Sequence, residues 1–76
     1  MQEDIKQRLE QSFPNGQIAL QFDGNRLTVQ IISDKFEGMS RVKRQQSVYV
    51  CLNEYIQSGE LHAVSITAKT FAEHES

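Results

Sequence analysis

Two short stretches of strict apolar–polar alternation, joined by three turn residues, constrain this chain more than any other feature. Residues 17–22 place Ile18, Leu20 and Phe22 on one side and Gln17, Ala19 and Gln21 on the other; residues 26–32 repeat the pattern with Leu27, Val29 and Ile31 opposite Arg26, Thr28 and Gln30. A period of two is the period of a strand. Between the stretches, Asp23-Gly24-Asn25 accepts positive φ cheaply, so the spacing predicts an antiparallel hairpin with one apolar face.

The flanking segments have helical periods. Ile5, Leu9 and Phe13 recur every four positions, Glu3 and Asp4 suit the positive end of a helix dipole, and Pro14-Asn15-Gly16 ends the run. After Ser33-Asp34-Lys35, Phe36 anchors a short turn that stops at Gly38. Ser40 then caps a helix running to Ser58, which Gly59 closes. Its inward residues are read as Val42, Gln45, Tyr49, Leu52 and Ile56, widened by Val48, Cys51 and Tyr55. Leu61 to Thr70 is again strand-like, with His62, Val64, Ile66 and Ala68 sharing a face. A helical crossover makes parallel pairing with the second strand the expectation. The tail from Phe71 to Ser76 looks too short for a stable helix of its own. The sum is α+β: helices on one face of a three-stranded mixed sheet.

Composition sets limits. With 76 residues there is room for one domain spanning 1–76, and a chain this small has an economical core. One cysteine, Cys51, cannot form an internal disulfide, and neither a signal-like segment nor a membrane-spanning run is present, so a reducing cytoplasm is the expected setting. The net charge of −2 is uneven: residues 24–47 hold five cations against two acids, giving +3, and the rest sums to −5. Such a balance disfavours nonspecific polyanion binding except through the local patch.

Three cations of that patch, Arg41, Lys43 and Arg44, fall in the first turn of the long helix, where the dipole disfavours positive charge. The pattern reads either as a site for phosphate or an acidic partner, or as a solvated face neutralised by Asp34 and Glu37. His62, just past the expected helix end, reads either as a structural histidine or as a functional one. Cys51 reads as a small buried hydrophobe and His74 as an exposed tail residue. No catalytic constellation emerges: there is no nucleophile–base pair, phosphate loop or metal-ligand spacing.

From Phe36 to Tyr49 the text Phe-Glu-Gly-Met-Ser-Arg-Val-Lys-Arg-Gln-Gln-Ser-Val-Tyr resembles the BolA family, in particular its IbaG-like bacterial branch. Leu52-x-Glu54-Tyr55-Ile56 and Leu61-His62-Ala63-Val64-Ser65-Ile66 continue the likeness in order. The resemblance implies a class II KH-like fold, α-β-β-α-α-β with a C-terminal helix. It also implies a non-enzymatic protein of one of two kinds. The first partners a monothiol glutaredoxin and shares a [2Fe-2S] cluster with it in iron–sulfur trafficking. The second is a DNA-binding transcriptional regulator of stress response and morphology. The isolated chain is then a monomer or weak dimer without a cofactor of its own.

In the cluster-sharing picture the family ligand before the last strand falls at His62. The second ligand, in the hairpin loop, falls at Arg26, which stays protonated and cannot bind iron. Ser40, Arg41, Lys43 and Arg44, with Arg26, are the candidate partner- or nucleic-acid-binding residues. The expected docking surface joins His62 to this basic helix start. The turn Gly38-Met39-Ser40-Arg41 lacks the second glycine of a KH GXXG loop, so it favours protein over nucleic acid.

Overall fold

The computed structural model describes residues 1–76. Strands β1 (Gln17–Asp23) and β2 (Arg26–Ile32) form the antiparallel hairpin, with Asp23 opposite Arg26 across the turn and Gln17 opposite Ile32 at the far end. β3 (Ala63–Lys69) runs parallel to β2, from Arg26 beside Ala63 to Ile32 beside Lys69, giving the order β1-β2-β3 with β3 on an open edge. The crossover contains a 3-10 turn (Asp34–Phe36) and helix α2 (Arg41–Gln57); α1 (Gln2–Ser12) precedes the hairpin and α3 (Phe71–Glu75) follows β3. No helix is long and apolar enough to cross a membrane.

The alternation places the core as expected. Leu27, Val29 and Ile31 of β2, the central strand, are at most 1% exposed and face Ile5 and Leu9 of α1 and Val48, Leu52 and Tyr55 of α2. Phe36 is fully buried, with its ring centroid 5.1 Å from that of Phe13. A single-turn segment thereby anchors the crossover to the end of α1. Gly38, at φ +76, turns the chain back toward Ser40, a conformation that a Cβ would strain. Ser40 caps α2 by accepting from the Lys43 N–H at 3.2 Å. At the other end Gly59, at φ +84, lets the Leu61 N–H return to the Tyr55 carbonyl at 3.0 Å.

Three expectations change. The buried side of α2 is centred on Val48, Leu52 and Tyr55, while Val42 and Tyr49 are exposed. Apolar residues surround much of this helix, so period alone does not choose its inner face; contact with both α1 and the sheet does. The strand begins at Ala63 rather than Leu61, because Leu61 is bonded to the end of α2 and buried with it. The tail is helical despite its length. Thr70 and Glu73 make a reciprocal capping box, and Glu73 is tied to Arg44 of α2, so tertiary contact supplies what length does not.

Candidate functional site

His62 sits where three elements meet. The end of α2 and the tight Gly59 turn deliver it, and its backbone N–H donates to the Asn25 carbonyl at 2.8 Å, while the next N–H, of Ala63, reaches the same oxygen at 3.5 Å. The backbone is therefore held between helix end and hairpin turn, and the side chain is exposed. A Cβ on Gly59 would lie 3.9 Å from His62 Nε2, so the ring lies over the glycine turn. Arg26 opens β2 beside Ala63 and is also exposed, so the hairpin tip and His62 share one end of the sheet.

The donor chemistry at this end is limited. No group of three or more His, Cys, Asp or Glu residues is placed to hold a metal ion. His62 offers one imidazole, the hairpin tip that holds its backbone carries Asp23, Asn25 and Arg26, and Cys51 lies elsewhere, with Sγ 3.2 Å from Ser12 Oγ. One imidazole is a single ligand, too few to hold a metal ion or cluster alone. The chain does not fit a cluster site of its own.

The basic helix start lies at the opposite end of α2. Seventeen helical residues span about 25 Å, so the structure does not bring His62 and Arg41 together. Nor are the three cations equivalent. Arg41 and Lys43 are exposed and form no ion pair. Arg44 turns inward: its Nε donates to the Met39 carbonyl at 3.1 Å, one terminal nitrogen reaches the Ala68 carbonyl at 3.3 Å, and both terminal nitrogens grip Glu73 at 2.6 and 3.2 Å. Its guanidinium also stands 5.9 Å from the Phe36 ring centre. Four positions before Val48, Arg44 occupies the buried stripe of the first turn. It knits crossover, edge strand and tail together, and Ser40 is engaged as the cap.

Arg44 holds the Glu73 carboxyl down at about 2, chiefly through their hydrogen bonds, with the Thr70 N–H adding to the effect. Arg41, Arg44 and Glu73 line a cavity of about 420 Å³ between the start of α2 and the edge of β3, together with Met39, Gln45, Ile66, Ala68 and Lys69. Sequence reasoning missed Gln45, Glu73 and Lys69 as parts of this corner. For Glu73 the signal was present: Thr70-Phe71-Ala72-Glu73 has the capping-box spacing. For Lys69 and Gln45 there was none, since only the crossover places them together.

Comparison with known proteins gives a consistent match. A family profile described as BolA-like protein matches residues 6–73. The acid stress protein IbaG of Escherichia coli is 53% identical over 51 residues, covering 67% of this chain and 61% of that protein. Among solved structures, BolA1 from Arabidopsis thaliana superposes with a TM-score of 0.84 at 32% identity, covering 93% of this chain and 92% of that one. The BolA domain of SufE1 from the same plant gives a TM-score of 0.82 at 33% identity, with 91% and 89% covered.

Proposed function

The chain belongs to the BolA-like family, and from that premise we propose that it is a non-enzymatic adaptor that docks a monothiol glutaredoxin through its His62 end and takes part in iron–sulfur cluster handling. The observation that carries this reading is the placement of His62: a solvent-facing imidazole on a backbone fixed by the Asn25 carbonyl. A neutral imidazole is a good iron ligand, and a held backbone reduces the entropy lost when the partner binds. With Arg26 at the loop position, the partner must supply the remaining ligands. The cluster is thus cargo shared at the interface.

The test is to mix the protein with a cluster-loaded monothiol glutaredoxin and record the visible absorption and circular dichroism spectra for wild type and His62→Ala. Wild type shifts the spectrum and His62→Ala does not. Equal spectra and equal affinities for the two proteins would remove His62 from the ligand set.

A second reading is duplex-DNA binding by the helix start. Arg41 and Lys43 are exposed and unpaired there, which favours it, but Arg44 is engaged within the fold. Two helix contacts give a log–log salt slope of roughly −1.8, against about −2.7 for three. Absence of duplex binding at low salt excludes this reading.

A further inference from the structure

The open edge of β3 presents backbone donors beside two unpaired cations, and we infer that this corner docks an acidic, extended peptide segment of a partner protein. The Lys69 carbonyl accepts from the Ser33 N–H and the Ala63 N–H donates toward the Asn25 carbonyl, so the odd-numbered residues of β3 face β2. The even-numbered carbonyls point the other way and are met by α2: Gln45 donates to Ile66 at 2.9 Å, Arg44 to Ala68 at 3.3 Å, and the Tyr49 hydroxyl lies 3.5 Å from the Val64 oxygen. In a strand each residue's N–H leaves on the same side as its carbonyl. The N–H groups of Ile66 and Ala68 therefore face outward, where they want acceptors.

The cavity of about 420 Å³ at this edge is large enough to receive one or two side chains with their backbone. Met39, Ile66 and Ala68 give it an apolar wall, while Arg41 and Lys69 stand at its rim without ion-pair partners. Glu73 is neutralised by Arg44. The fitting ligand supplies acceptors and negative charge at a regular spacing. On one side of an extended polypeptide, carbonyls repeat about every 6.6 Å, the spacing of outward groups along β3 itself. An alternating acidic–apolar peptide meets every requirement. Nucleic acid fits less well, because no aromatic side chain lines the cavity to stack a base.

Gln45 then has a specific role. An added strand also donates hydrogen bonds, and the Ile66 carbonyl it needs is covered by the Gln45 amide, whose side chain makes no other hydrogen bond. That amide is a removable plug, whereas Arg44 is fixed by several partners. Free edges invite unwanted pairing, so a plug that yields only to the right occupant adds selectivity.

The experiment titrates the intact protein into a fluorescein-labelled peptide of alternating Glu and Val, about ten residues long, a length that covers a strand. Parallel arms use a Lys–Val peptide and an oligo(dT) of equal length. Anisotropy gives affinity, and NMR-detected hydrogen exchange follows the Ile66 and Ala68 amides. The Glu–Val peptide alone binds and slows exchange at both amides. Arg41→Glu with Lys69→Glu weakens binding about tenfold or more, the sum expected of two reversed exposed charges. Gln45→Ala tightens binding, and His62→Ala leaves it unchanged, so this result is separable from that of the adaptor reading. Equal binding of oligo(dT) or the Lys–Val peptide, binding without amide protection, or indifference to the charge reversal would overturn the inference.

Discussion

Replacing Arg44 by Ala should unfold this protein far more readily than replacing either neighbouring cation, although all three look alike in sequence. The side chain of Arg44 is only 15% exposed. Its loss leaves the Met39 and Ala68 carbonyls without the partners they have at 3.1 and 3.3 Å. Each such charge-assisted bond contributes about 1–1.5 kcal/mol net, and the contact over Phe36 adds about 0.5–1 kcal/mol. Setting aside the exposed Glu73 pair, the loss is about 3 kcal/mol. A domain of this size has only roughly 4–11 kcal/mol in total. Arg41→Ala and Lys43→Ala touch nothing comparable and should stay within about 0.5 kcal/mol of wild type. Urea unfolding followed by far-UV circular dichroism measures all three. If Arg44→Ala matches Arg41→Ala in midpoint and slope, then Arg44 is not a structural tie and the division of the basic patch drawn above is wrong.

Other expectations follow from the same geometry. Gly59→Ala forces a Cβ into φ +84 and should cost about 1–2 kcal/mol in thermal or urea unfolding, with no steric contact to blame, since the nearest atom is 3.9 Å away. Ser40→Ala removes the cap of α2 and should cost about 1 kcal/mol, seen as fraying of the Lys43 amide in hydrogen exchange. Glu73 has its carboxyl lowered from 4.5 to about 2, so the tail's attachment is fully present above pH 4.5 and is lost as pH falls through about 2. An NMR pH titration of the Thr70 and Glu73 amides should show that low midpoint; a midpoint near 4.5 would mean that the Arg44 grip is absent in solution.

The sequence carried the sheet more clearly than the helix faces. Strict alternation around Asp23-Gly24-Asn25 leaves one register that buries Leu27, Val29 and Ile31, and that register is the one found. The length of the helical crossover implies that β3 runs parallel to β2, as it does. In α2, by contrast, Val42, Tyr49 and Val50 are as apolar as the residues beneath them, so orientation was decided by packing against α1 and Phe36. The same packing drew Arg44 out of the basic patch, a rearrangement invisible to charge counting. His62 was legible as a motif residue, and so was its distance from Arg41, because any helix of seventeen residues holds its two ends about 25 Å apart; a docking surface joining the two overlooked that length. The tail helix was underestimated because a five-residue helix has little stability alone, and the tie to Arg44 lies 29 positions away in the chain.

The most direct measurement is a chemical-shift map of the 15N-labelled protein titrated with a cluster-loaded monothiol glutaredoxin, using a diamagnetic cluster state. The adaptor account predicts that the shifts and line broadening centre on Gly59, His62, Ala63 and the hairpin residues Asn25 and Arg26, which share one end of the sheet. Shifts centred on Arg41 and Lys43, with the His62 end silent, would contradict it.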